Sequence, residues 1–149
     1  MLIRWTLALL LLVVARPAVA QQEIRVTSPN KVLTATISLN GEGRVQYRID
    51  RNGTPVIGES QLGFLFTDQP QMLRNFAVVA QRSADHDESW EQPWGEQRMV
   101  RDHYRSLSVD FEEKSALKRR MTLEFRLYDD GVSTAFSNVP STRATFIPE

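Results

Sequence analysis

The sequence predicts an all-β fold, an antiparallel β-sandwich, and three features predict it. Apolar residues recur at every second position in several separate runs. Asn-Gly and Asp-Gly turn signals stand between those runs. No window beyond the N-terminal apolar segment holds a helical period. Many short strands at turn-separated intervals make a sandwich or open barrel rather than a helical or mixed fold.

In chain order, Leu33, Ala35, Ile37 and Leu39 alternate with Thr34, Thr36 and Ser38, which gives one apolar face. Asn40-Gly41-Glu42-Gly43 is a turn, and Val45, Tyr47 and Ile49 then alternate with Gln46, Arg48 and Asp50. Asn52-Gly53 turns the chain again, so these runs read as an antiparallel meander. Pro55 to Gly58 is a short extended piece. Leu62, Phe64 and Phe66 suggest a strand that Thr67 to Pro70 breaks, and Phe76, Val78 and Ala80 suggest another short one. Leu107, Val109 and Phe111 form a strand that ends in the polar turn region from Glu112 to Leu117. Met121, Leu123, Phe125 and Leu127 give the clearest alternation, closed by Asp129-Asp130-Gly131. From Ser133 onward the chain is rich in Ser, Thr and Pro and loses its period. The sandwich is therefore expected to be incomplete at its C-terminus, with an edge exposed and an apolar face uncovered.

The 149 residues allow one domain. Lys plus Arg and Asp plus Glu number 18 each, so no basic face announces a nucleic-acid partner. At 42% hydrophobic residues the composition is that of a globular protein, not a disordered one. The first residues carry Arg4, an apolar run from Trp5 to Ala15, and the small-x-small pattern Ala18-Val19-Ala20. A span would need roughly 20 apolar residues. Residues 1–20 are accordingly expected to be a secretory signal peptide, cleaved near Ala20, and residues 21–149 the folded domain. With no cysteine the chain can neither be acylated as a lipoprotein nor form disulfides, so its core alone must hold it. Export without disulfides suits a bacterial periplasm or secretion into the medium.

The segment from Trp90 to Tyr104 is the chemically richest stretch. An ordinary connection is short and built of Gly, Asn, Asp and Ser. This one holds Trp90, Trp94, Tyr104, His103, Arg98, Arg101, Glu91, Glu96 and Asp102. The aromatic rings suit the flat faces of sugars as well as they suit a core, and the arginines suit hydroxyl groups as well as neighbouring carboxylates. Trp90, Trp94, Glu96, Arg101, His103 and Tyr104 are the candidate carbohydrate-contacting or domain-interface residues. The alternative is that Pro93-Trp94-Gly95 fixes a turn and the indoles pack on the sandwich. The alternation of Arg101, His103 and Arg105 with Asp102, Tyr104 and Ser106 returns the chain to a strand. Asp85, Asp87, Glu88, Glu91 and Glu96 offer carboxylates of the kind glycosidases pair, yet their spacing reads more simply as solvated surface. His86 and His103, without cysteine, make a weak metal signal. Catalytic triads, phosphate loops and dinucleotide fingerprints are absent from the sequence.

Three markers carry a family resemblance: Val26-Thr27-Ser28-Pro29, the stretch from Ser89 to Tyr104, and Arg126-Leu127-Tyr128-Asp129-Asp130-Gly131-Val132. Together they make residues 26–132 resemble the N-terminal domain of glycoside hydrolase family 97, bacterial α-glucosidases and α-galactosidases. The resemblance implies a β-super-sandwich that precedes a (β/α)8 catalytic barrel and a small C-terminal β domain. It also implies calcium at the active site of the whole enzyme and a periplasmic location. The family's catalytic carboxylates lie on the barrel, and the carboxylate its N-terminal domain lends to calcium lies beyond this chain. No catalytic or metal residue therefore transfers to this sequence, and no cofactor is expected in this chain. The chain is expected to be a truncated front piece, inactive alone, whose partners are the missing barrel and, through the intact enzyme, an α-glucoside or α-galactoside. The alternatives are a free-standing carbohydrate-binding module, with Trp90, Trp94 and Tyr104 as a stacking platform, and a structural or interaction domain.

Overall fold

A computed structural model describes residues 23–139; the expected signal peptide and the Ser/Thr/Pro-rich tail from residue 140 lie outside the described residues. The first sheet holds β1 (Ile24–Thr27), β2 (Leu33–Leu39), β3 (Val45–Arg51) and β4 (Thr54–Leu62). The second holds β5 (Phe76–Glu91), β6 (Met99–Glu113), β7 (Arg120–Tyr128) and β8 (Val132–Ser137). Each sheet is an antiparallel meander in chain order, β1-β2-β3-β4 and β5-β6-β7-β8. β1 lies over β6 and β2 over β7. The chain is an all-β sandwich.

The period-two runs become the two inner faces. Ala35, Ile37 and Val45 are fully enclosed on one side, and Val109, Phe111, Met121, Leu123, Phe125 and Leu127 on the other. Each of these side chains larger than alanine contributes about 1.5–3 kcal/mol by leaving water. Rings cross the seam: Tyr47 and Phe125 stand 5.8 Å apart, centroid to centroid. Asn52 and Gly53 take φ of 49° and 78°, the left-handed pair that a two-residue hairpin needs, and so fix the β3–β4 register. Gly43 does a different task. Its backbone runs against the start of β5, where Phe76 N–H donates to the Gly43 carbonyl at 2.9 Å. A Cβ there would meet Phe76 backbone atoms at 3.0 Å. The β2–β3 turn thus ties one sheet to the other.

Four expectations need correction. Pro55 to Gly58 belongs to one longer strand, β4, which ends at Leu62. Phe64 and Phe66 follow it in an irregular connection, held by a single bridge from Phe64 to Met72. The strand begun at Phe76 does not stop at Ala80 but runs to Glu91, and β6 starts as early as Met99. A bulge between Val78 and Ala80 shifts the phase. Val78 opposes Phe111 and faces inward, whereas Ala80 opposes Asp110 and faces outward. Period-two reading fails at such a step. Finally, residues after Gly131 form β8, a full strand on β7, although its polar side chains hide the period.

An ion pair is buried at the sandwich end. Arg119 and Glu113, each with side chains 7% exposed, pair through two bonds of 2.8 and 3.0 Å. Arg119 also donates to the carbonyls of Pro70 at 2.6 Å and Gln71 at 3.0 Å, and its guanidinium lies over the Phe66 ring. The irregular connection is clamped to the β6–β7 loop this way. The hydrogen bond from Arg119 holds the Glu113 carboxyl below its ordinary value of 4.5. Because the folded value is lowered, the pair's stabilisation is complete above the ordinary value and fades as pH falls through the lowered one. We expect Arg119→Met to cost about 3–5 kcal/mol at neutral pH, as a buried carboxylate loses its partner. Urea titrations should show the gap between variant and wild type closing in acid. A gap that stays constant with pH would mean the pair does not carry this stability.

Candidate functional site

β7 pairs with β6 only from Tyr104 to Glu112. Beyond that point β5 and β6 continue as a two-stranded ribbon, from Asp87 opposite His103 to Glu91 opposite Met99. These five rows project about 15 Å past the sheet at the usual rise per residue. A loop of residues 92–98 caps the ribbon. Both faces of this arm are mostly polar or aromatic, with Met99 and Val100 the aliphatic exceptions. That is why the sequence shows no hydrophobic period there.

The cross-strand register assigns every side chain to a face. On the face continuous with the sandwich interior, β5 contributes carboxylates and β6 arginines. Asp85 accepts from Arg105 at 2.7 Å, Asp87 takes both bonds of Arg101 at 2.7 Å, and Glu91 pairs with Arg98. The hydrogen bond from Arg101 holds the Asp87 carboxyl below its ordinary value of 3.8, with His103 and His86 adding smaller attractions. His103 lies on this face between the rows of Arg101 and Arg105.

The opposite face is aromatic. His86 stacks on Tyr104 with centroids 4.7 Å apart, Tyr104 meets Tyr128 at 5.2 Å, and the Arg126 guanidinium sits 5.2 Å over the Tyr104 ring. His86 Nε2 also stands 3.4 Å from Asp102 and 3.7 Å from Glu88. Burial raises the Tyr128 hydroxyl above its ordinary value of 10.0, and the negative charge of Asp102 raises it further. Trp90 is on the same face, opposite Val100 and 43% exposed. It lies four residues along the strand from His86, about 13 Å.

The tip is shaped by its own hydrogen bonds. Gln92 N–H donates to the Arg98 carbonyl at 2.9 Å, and its side-chain amide donates to the Gln97 carbonyl at 3.1 Å. Gly95 takes φ of 106°, and an added Cβ would stand 3.1 Å from the Gln92 amide nitrogen. Trp94 points outward from this loop at 77% exposure, and Glu96 beside it is exposed.

Five of the six sequence candidates therefore lie on the arm, Tyr104 stands at its root where β7 begins to pair, and the six do not share a surface. Arg101 and His103 lie on the charged face, Trp90 and Tyr104 on the aromatic face, and Trp94 and Glu96 at the tip. The pairing of Tyr104 with Tyr128 and Arg126 was not legible beforehand, because it follows only from the β6–β7 register. Among the described residues no group of three or more acidic or histidine side chains is arranged to hold a metal ion. Asp85, Asp87 and Glu91 are each committed to an arginine, so the donor set does not fit calcium.

The glycosyl-hydrolase 97 N-terminal family model matches residues 26–147. The chain belongs to this family. Among relatives of this family-97 domain is the retaining alpha-galactosidase of Bacteroides thetaiotaomicron, 26% identical over 119 residues, 80% of this chain and 17% of that protein. A family 97 enzyme of Pseudoalteromonas sp. strain K8, solved with panose, superposes with a TM-score of 0.73 at 25% identity, covering 80% of this chain and 18% of that one. Its complex with acarbose gives the same TM-score at 26% identity and the same coverage. A beta-arabinopyranosidase shares the fold at a TM-score of 0.69 and 19% identity. The family-97 domain described here thus spans less than a fifth of the length of these relatives.

A lone two-stranded ribbon is only marginally stable, so the ion pairs are expected to contribute to the arm's order. We expect Asp87→Asn to speed amide hydrogen exchange across residues 88–100 while leaving the sandwich melting temperature nearly unchanged. Acid should act on the wild type in the same direction, as Asp87 is protonated below its ordinary carboxylate range. Unchanged exchange in both conditions would assign the arm's order to its backbone ladder alone.

Proposed function

We propose that the chain is the N-terminal accessory domain of an exported α-glycoside hydrolase, packing on a catalytic barrel and helping to shape the carbohydrate site. The observation that carries this reading is the family match over residues 26–147 combined with coverage of less than a fifth of the relatives' length. The arm supports it, because a preformed ribbon with an outward Trp94 is suited to reach a neighbouring domain. Panose and acarbose bound to the Pseudoalteromonas enzyme support carbohydrate as the ligand of the intact protein. Calcium belongs to that intact enzyme through residues outside this chain. The apolar run and the Ala18-Val19-Ala20 pattern support export to the periplasm or beyond, with cleavage near Ala20.

Among the described residues Asp85 and Asp87 are each paired with an arginine, which supports an accessory role rather than an acid–base one. We expect the purified chain to release no nitrophenol from nitrophenyl α-glucoside or α-galactoside above the blank. The DNA downstream of the Glu149 codon should encode a (β/α)8 barrel in one of its frames. Hydrolysis by the chain alone, or a downstream region without a barrel, would sink the accessory-domain reading.

A second reading, a free-standing carbohydrate-binding module, is favoured by the exposure of Trp90 and Trp94. After signal cleavage these are the only tryptophans, Trp5 being the third. Titration with maltose or melibiose should leave their fluorescence unchanged if the domain is an accessory piece. Saturable quenching would instead establish the module.

A further inference from the structure

The three sequence markers lie far apart along the chain, yet they meet in space at the root of the arm. Val26 to Pro29 carries the end of β1 into its turn, Arg126 to Val132 carries the end of β7 into β8, and Ser89 to Tyr104 makes up most of the arm. The contacts that join them come from one turn of the first sheet.

That turn is a closed unit. Ser28 is fully buried; its N–H donates to the Leu33 carbonyl at 2.9 Å, and its hydroxyl accepts from Leu33 N–H at 3.0 Å. The same hydroxyl donates to Asn30 Oδ1 at 2.7 Å, and Val32 N–H donates to that oxygen at 3.0 Å. Lys31 N–H closes the turn on the Ser28 carbonyl at 2.9 Å. The side-chain oxygen of Asn30 is thus committed within the turn, and its two donors reach out of it. Asn30 N–H donates to Asp129 Oδ1 at 2.9 Å, and the side-chain amide donates to the Asp129 carbonyl at 3.3 Å. These bonds cross from one sheet to the other between residues 99 apart. Two bonds to one residue fix an angle as well as a distance, where a single bond would leave a swivel.

Asp129 stands where that angle matters. It follows Tyr128, the last residue of β7, whose ring packs on Tyr104 at the arm's root. On the charged face the hydrogen bond to Asp87 raises the Arg101 guanidinium above its ordinary value, and the negative charge of Asp129 adds a smaller attraction. A second tie lies beside the first. Arg105 Nη1 donates to Thr27 Oγ1 at 3.4 Å while its Nε donates to Asp85 at 2.7 Å. The first sheet therefore holds the root through β7 and through the β5–β6 pair together.

We propose that Asp129 is a positioning residue: with Asn30 it locks the two sheets at the arm's root and so sets the direction in which the β5–β6 arm leaves the sandwich. The arm's ion pairs brace it along its length; the Asn30–Asp129 lock aims it. A direction set in advance spares whatever meets the tip the entropy cost of ordering it. The lock is a property of the domain's own geometry and stands apart from the accessory-domain reading.

A spin-label distance measurement tests it. The chain has no cysteine, so Ser89→Cys on the arm and Thr54→Cys on the first sheet give two nitroxide sites and no others. Ser89 lies about 10 Å beyond the root, so a swing of roughly 20°, the size of the ordinary twist between strands, moves it by about 3–4 Å. In this background the unaltered lock should give one narrow distance distribution. Asp129→Ala should broaden it and shift its mean by that amount. Asp129→Asn keeps an acceptor for Asn30 N–H and should restore most of the narrow distribution. Asp130→Ala, at the next residue of the same turn, should leave it as it was. Far-UV circular dichroism checks that each variant keeps its sheets. A measurement on the unaltered chain decides the matter even where a variant does not fold: the Asn30 amide should exchange with solvent about tenfold or more slowly than an unprotected amide. An unchanged distribution in folded Asp129→Ala, equal broadening in Asp130→Ala, a folded Asp129→Asn as broad as Asp129→Ala, or a freely exchanging Asn30 amide would each overturn the proposal.

Discussion

The continuous pairing of β5 with β6 is the constraint on which the rest of the structure depends. One end of the ladder lies in the core, where Phe76 and Phe111 pack 6.3 Å apart. The other end carries Trp90 and the capping loop outside the sandwich. No slip is available to this pair. A shift by one residue would turn Leu107, Val109 and Phe111 out of the core and bring Ser106, Ser108 and Asp110 in. The burial of three apolar side chains therefore fixes the face of every residue on the arm. The separation of the charged row from the aromatic row follows from packing about 7 to 20 Å away along the strand, by the usual rise per residue.

Charge and burial divide the stabilising roles. Most ion pairs are exposed and contribute little to global stability. Arg101–Asp87 braces a ribbon that has no core of its own, and Arg105–Asp85 braces the sheet at its root. Arg119–Glu113 is different because it is buried and also satisfies the carbonyls of Pro70 and Gln71. In a chain without cysteine it ties an irregular connection with an ion pair where a disulfide is not available.

The parts legible from sequence were those with one face in the core and one in water. β2, β3 and β7 stand where Leu33 to Leu39, Val45 to Ile49 and Met121 to Leu127 alternate. The outer half of β5 was hidden for two physical reasons. The bulge at Val78/Ala80 breaks the period, and the residues beyond it meet solvent on both faces. β8 was hidden because an edge strand with Ser133, Ala135 and Ser137 outward needs little hydrophobic contrast. The segment from Trp90 to Tyr104 announced itself by composition. Composition could not say which residues share a face, since that depends on the β6–β7 register as well as on β5–β6.

The topology has a consequence for how the chain reaches this state. Among the described residues each sheet is made only of strands adjacent in sequence, without the crossing connections of a Greek key. Every ladder can close through a short loop, so the entropy of bringing distant segments together is deferred to the docking of two preformed meanders. The single link between them is the connection of residues 63–75, which Arg119 clamps once both sheets are in place. The fold is in this sense two half-proteins sharing one interior. Breaking the chain within that link would leave each half with its described strand neighbours, and reassembly would fall to the apolar faces and the few backbone bonds, such as Phe76 to Gly43, that join the sheets.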